Sequence, residues 1–187
     1  MLKRLMLMLA ILLLLPVSVA RADEYTETLK LFKNAGESGT FLQSAYAYAV
    51  FPKIAKGGAG IGGARGKGRV YEQGNYIGDA TMTQLTVGLQ LGGQVYSELI
   101  LFEDERALKE FTDGNFELGA DANAIAITAA AGAKTGSTGT SANVSGGKND
   151  AKTAGVYRKG MAVFTVAKGG LMYEASVGGQ KFSYKPK

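Results

Sequence analysis

The sequence predicts an α+β domain built on a strongly bent, barrel-like antiparallel sheet, and three observations predict it. Apolar residues recur at every second position through much of the chain after residue 52, the period of a strand with one buried face. Helical spacing is confined to the segment before residue 50 and to one short interior stretch. The pair Gly92-Gly93 interrupts the alternation without shifting its phase, as a bend or bulge in a long curved strand does.

The first residues stand apart. MLKRLMLMLAILLLLPVSVARA opens with Lys3 and Arg4, continues as an apolar run and ends Ala20-Arg21-Ala22. This is the pattern of a secretory leader, with cleavage expected after Ala22 and the periplasm as destination. The run from Leu5 to Leu15 is too short to span a bilayer, which takes about 20 residues. The organisation expected is a leader over 1–22, a helical segment over 23–50 and a β-rich domain over 51–187.

Two short helices are expected next. Tyr25, Leu29 and Phe32 recur at helical spacing behind Asp23 and Glu24, acids that the helix dipole favours. Asn34-Ala35-Gly36 is a stop signal, and a second helix is read through Phe41, Leu42, Ala45 and Tyr46, ended by Pro52. In TQLTVGLQLGGQVYSELILF, residues 83–102, Leu85, Val87, Leu89, Leu91, Val95, Leu99 and Leu101 all fall on odd positions. They predict one long strand, bent at Gly92-Gly93, with these residues on its buried face. EDERALKEF, residues 103–111, predicts the interior helix, with Ala107, Leu108 and Phe111 on one face. ADANAIAITAAAGA leans to strand, and residues 132–150 form a Gly/Ser/Thr loop. The end of the chain reads as three strands broken at Lys159-Gly160 and at Lys168-Gly169-Gly170.

Charge is segregated. Removing Lys3, Arg4 and Arg21 with the leader leaves 18 basic against 16 acidic residues, net +2, so position matters more than total. Lys53, Lys56, Arg65, Lys67 and Arg69 lie within residues 53–69 without an acid, whereas residues 98–121 carry eight acids and two bases. The chain has no Cys and no His, which excludes Ser-His-Asp and Cys-His catalysis and leaves packing, rather than disulfides, to hold an exported fold. A zinc site built from carboxylates alone is poor. Glu103, Asp104 and Glu105 are explained by a helix start.

The stretch FPKIAKGGAGIGGARGKGRVYEQG, residues 51–74, contains GAGIGG, but a dinucleotide fingerprint needs a helix after it and ARGKGRVY is too glycine-rich to open one. A P-loop fails as well, since Ile61 stands at its first glycine and Gly68 at its Ser/Thr position. The bland account of the five cations is a solvated strand face. The functional account is an anion-binding surface, with Phe51, Ile54 and Ile61 inserting shallowly beside lipid headgroups. Nucleic acid fits the charge but is rarely met by an exported protein.

YAVFPKIAKGGAGIGGARGKGRVY, TMTQLTVGLQLGGQVYSELILFED and GVYRKGMAVFTVAKGGLMYEASVGGQKFSY, in this order, resemble the SYLF domain in its exported bacterial branch. The resemblance runs from about Tyr46 to Tyr184. It implies a lipid-binding module with a preference for anionic lipids and offers no catalytic residues to carry over. No cofactor or metal site is expected, with calcium on exposed carboxylates left open although the EF-hand spacing is absent. In a bacterial envelope the anions implied are phosphatidylglycerol, cardiolipin or lipid A. The expected contact surface is Lys53, Lys56, Arg65, Lys67 and Arg69, flanked by Arg158, Lys159 and Lys168. Two alternatives stay open: a module that binds another envelope protein, and a carrier holding an acyl chain in an interior cavity.

Overall fold

The computed structural model describes residues 23–35, 37–114, 116–118, 125–126 and 157–187, with backbone alone over 125–126 and 170–178. The leader at 1–22 and the loop at 132–150 lie outside the described residues. The elements run α1 (Glu24–Lys33), α2 (Glu37–Ser44), β1 (Ala47–Glu72), β2 (Asn75–Phe102), α3 (Glu105–Thr112), β3 (Phe116–Leu118), β4 (Ile125–Ala126) and β5 (Met161–Pro186). The chain is thus α+β and mostly antiparallel sheet. Pairing order is β1-β2-β5-β3, with β4 joining β5 in parallel. Among the described residues this sheet is open, so the bent sheet is not a closed barrel.

Three strands carry the fold, of 26, 28 and 26 residues. A straight strand of that length would run roughly 90 Å. These do not run straight, because β1 doubles back on itself. A Cβ placed on Gly66 would lie 2.5 Å from Ile54 Cγ1, and one on Gly68 would lie 2.6 Å from the Phe51 ring. Residues 51–54 therefore pack face to face with 66–68 of the same strand, and only glycine lets the two layers approach so closely. The crease lies at Gly58 to Gly62, where Gly60 takes φ +75°. On β2 the crease is a bulge: pairing jumps from Ala59↔Leu91 to Ile61↔Val87, setting residues 88–90 against Gly60 alone.

Buried Gln90 pins this crease. Its Nε2 donates to the carbonyls of Gly60 (3.3 Å) and Thr86 (3.1 Å), and its Oε1 accepts from Thr86 Oγ1 (2.7 Å). The folded sheet encloses an inner cluster that includes Phe51, Ile54, Val70, Met82, Phe102 and Phe182. Helix α3 adds Ala107, Leu108 and Phe111 to it. Asp104 caps α3, its carboxylate accepting from the Ala107 N–H at 2.8 Å. A second, outer cluster sits under α1 and α2, where Phe32 packs with Val50, Leu99, Leu101 and Phe164.

Three expectations are corrected. The second helix ends at Ser44, and the strand begins at Ala47, five residues before Pro52. Pro52 is instead part of a bulge between Phe51↔Glu98 and Ile54↔Tyr96 on an edge strand, tolerated there because no ladder bond needs its missing N–H, and its carbonyl accepts from buried Ser97 Oγ at 2.7 Å. That extra residue flips the inward face of β1 from odd to even positions. The end of the chain holds one strand rather than a strand broken at Lys168-Gly169-Gly170: β5 starts after the Lys159-Gly160 turn and absorbs Lys168 as a bulge. Finally, Leu85, Val87, Leu89 and Leu91 are exposed, although they share the odd face of β2 with buried Leu99 and Leu101.

Candidate functional site

The crease gathers cations that are far apart along the chain. Folding β1 at residues 58–62 brings Lys53 and Ala55 beside Arg65, Gly66 and Lys67 at the free edge of the sheet. Together with Pro52 and with Glu24 and Tyr25 of α1, they line an open hollow of about 470 Å³. Lys53, Arg65 and Lys67 are exposed, and none of them forms an ion pair among the described residues. Glu24 is the one acid on the hollow's wall. Three exposed cations around an open basin suit an anion of phosphate size at a surface.

Arg69 plays a different part. Its guanidinium pairs with the Asp23 carboxylate and lies 4.1 Å from the Tyr25 ring centroid and 5.5 Å from that of Tyr76. It clamps the start of α1 to β1, next to the hollow rather than in it. Lys56 is half-buried near the crease, opposite Gln94. Arg158 and Lys159 are exposed in the turn before β5, at the Phe102 end of the sheet and two strands away from the hollow. Lys168 is exposed in the β5 bulge near the crease level. The fold thus joins Lys53, Arg65 and Lys67, sets Arg69 beside them engaged, and keeps Arg158 and Lys159 apart.

The glycines do not form a phosphate-cradling loop. Residues 51–72 are all strand, and Gly62, Gly66 and Gly68 turn inward to let the two layers pack. Of the apolar neighbours expected beside headgroups, Phe51 and Ile54 are fully buried, and Ile61 alone is exposed, at 66%.

What sequence reasoning missed lies beside the cations. Leu85, Val87, Leu89 and Leu91, expected to be buried, join Ile61 on the outer side of the crease, all more than half exposed. Pairing places Gly63 opposite Leu85, Arg65 opposite Thr83 and Lys67 opposite Thr81, so the basic band starts one pleat step from the apolar patch on the same face. The even positions concealed this patch: Thr86, Gly88, Gln90 and Gly92 read as an outward polar face, yet Thr86 and Gln90 are the buried ones. Glu98 was also missed. It is fully buried between the layers, with one oxygen accepting from Gln180 Nε2 at 2.9 Å and the other unpartnered, and burial pushes its carboxyl up to about 7.

Residues 83–186 match the model of a family described as Ysc84, Las17-binding protein actin regulator. The chain is 24% identical over 166 residues to Beta cell expansion factor A of Aeromonas veronii, an alignment covering 84% of this chain and 52% of that protein. It therefore spans about half the length of this curated relative. No solved structure matches.

Proposed function

The chain belongs to the Ysc84 (SYLF) family, and we propose on that premise that it is a non-enzymatic module that binds anionic phospholipid at the cell envelope through its glycine-rich basic surface. The observation that carries this reading is the convergence of Lys53, Arg65 and Lys67 on one open hollow. Each Lys or Arg held near an anionic membrane contributes about 1 kcal/mol, and only when they share a face do the contributions add. The crease supplies that shared face. Arg69 supports it by anchoring Tyr25 on the hollow's wall. Lys168 and, more remotely, Arg158 and Lys159 extend the basic character along β5. Among the described residues no helix is long and apolar enough to cross a membrane, which fits peripheral attachment.

The second reading, a partner among envelope proteins, draws on the family's description as a protein binder. The carrier reading has less support, because Phe51, Ile54, Met82, Phe102 and Phe182 occupy the space between the layers where an acyl chain would lie. Vesicle flotation tests the proposal. Residues 23–187, which hold every described element, are mixed with neutral or anionic vesicles at low and high salt, beside a Lys53→Ala, Arg65→Ala, Lys67→Ala variant. Binding that needs anionic lipid, weakens with salt and is lost in the variant is expected. Absence of flotation, with a defined protein captured by crosslinking, would replace it with the second reading.

A further inference from the structure

We infer that the folded crease is a membrane-penetrating wedge: Ile61, Leu85, Val87, Leu89 and Leu91 enter the acyl region of a bilayer while Arg65 and Lys67 hold headgroup phosphates just above it. The inference rests on the lipid reading above and adds its mode and its depth. Three observations carry it.

The first is the patch. Five large apolar side chains, 60% to 82% exposed, meet at one end of the folded sheet. Clustered exposure of this kind marks an interaction surface, whereas scattered exposed leucines do not.

The second is what borders it. Along the same outward face, past Leu85, come Arg65, Lys67, Arg69, Lys181 and Lys185, with Asp79 and Glu117 as acids on that face. Glu117 pairs with Lys181 and Asp23 with Arg69, which leaves Arg65 and Lys67, the cations next to the patch, without an ion pair among the described residues. An apolar end followed by a cationic band reproduces the order of a leaflet, hydrocarbon below and phosphate above. A second copy of this chain would bring its own cations against these and gain nothing from the order.

The third is how the crease treats its backbone. A crease breaks the ladder and frees carbonyls, which water would satisfy on an ordinary surface. Here the side chain of Gln90 takes up the carbonyls of Gly60 and Thr86, and Thr86 Oγ1 in turn satisfies Gln90. Internal satisfaction of freed backbone groups is what a segment entering hydrocarbon needs.

The chain has no cysteine, so one introduced thiol labels cleanly. Leu89→Cys places a polarity-sensitive fluorophore on the wedge, and Asn75→Cys places it on the hairpin roughly 45 Å away along β2. Vesicles of phosphatidylcholine with phosphatidylglycerol are expected to shift the Leu89→Cys emission to the blue. Brominated acyl chains are expected to quench it, and the Asn75→Cys label should show neither effect. A Val87→Asp, Leu89→Asp variant should lose vesicle affinity about tenfold or more while keeping its melting temperature. Flotation with a water-like Leu89→Cys signal would overturn the wedge and leave the electrostatic reading standing. A blue shift that grows with protein concentration in the absence of vesicles would overturn it in favour of self-association. Absence of flotation would overturn both readings together.

Discussion

The outer face of β2 is one stripe of apolar side chains with two fates. At one end Leu99 and Leu101 lie under α1 and α2, packed with Phe32 and Phe164 and wholly buried. At the other, Leu85, Val87, Leu89 and Leu91 stand bare over the crease. Composition, spacing and parity are alike in the two halves. The difference is the cover. Among the described residues, two helices of 10 and 8 residues cover the Phe102 end of this face and leave the crease end bare. Alternation says which residues share a face, and the elements packed on that face decide whether it is core or contact surface.

The comparison is broken most strongly by truncating the covered half. Leu99→Ala should cost about 2–5 kcal/mol in denaturant unfolding, as deletions from a filled core do. Equal costs for Leu99→Ala and Leu89→Ala would show that the bare half is covered after all.

Next comes the layer beneath, where Glu98 faces inward from the same strand. Its folded pKa, near 7, lies above the value of about 4.5 that it has when unfolded, so the folded state holds the proton more tightly. The contribution is fully present below the unfolded value and is lost as pH rises through 7. Stability should therefore fall as pH rises from about 4.5 to about 7 and level off above that, by roughly 3 kcal/mol at most. Glu98→Gln should flatten that slope in melts taken across the range, and an unchanged slope would locate the proton elsewhere.

The crease can be forced open from inside. Gly68→Ala sets a Cβ against the Phe51 ring, and a cost of about 1–3 kcal/mol is expected from the overpacking. A neutral result would mean that the two layers of β1 do not touch there. Smaller again is Arg69→Ala. It removes the Asp23 pair and the stacking on Tyr25, and because both partners are substantially exposed the loss should stay within about 1 kcal/mol. Accompanying loosening of α1, read by amide exchange at residues 24–33, would sharpen the case that the clamp holds the cover in place. Smallest of all, Leu89→Ser should change stability by no more than about 0.5 kcal/mol.

Much of this was legible in residue order. The helix at 105–112 announces itself through Asp104 and the Ala107, Leu108, Phe111 face, and the structure adds only the cap hydrogen bond. The unbroken phase across Gly92-Gly93 correctly makes β2 a single long strand. Pro52 misled because a proline sits comfortably in a bulge of an edge strand, where its missing N–H is not needed, and no local signal reveals that the residue facing it, Ser97, lies 45 residues away. Lys168 misled in the same way, since a Lys-Gly-Gly that interrupts alternation reads alike as a strand end and as a bulge. Within the candidate site, the five cations were visible as a group, but their division was not. Lys53, Arg65 and Lys67 meet, and Arg69 is taken up by Asp23 and Tyr25, because α1 lands on that edge.

The sequence by itself determined the local terms: which segments alternate, which spiral, where acids start a helix, and where glycine permits two layers to meet. Those follow from backbone sterics and from side-chain period, properties of neighbours in the chain. Only the tertiary structure decided that β1 folds onto itself at Gly58 to Gly62, that helices cover one half of the outer face, and that Leu85 to Leu91 remain bare beside Arg65 and Lys67. Burial is a relation between segments distant in the chain, and the period of a strand carries no information about what will be placed against it.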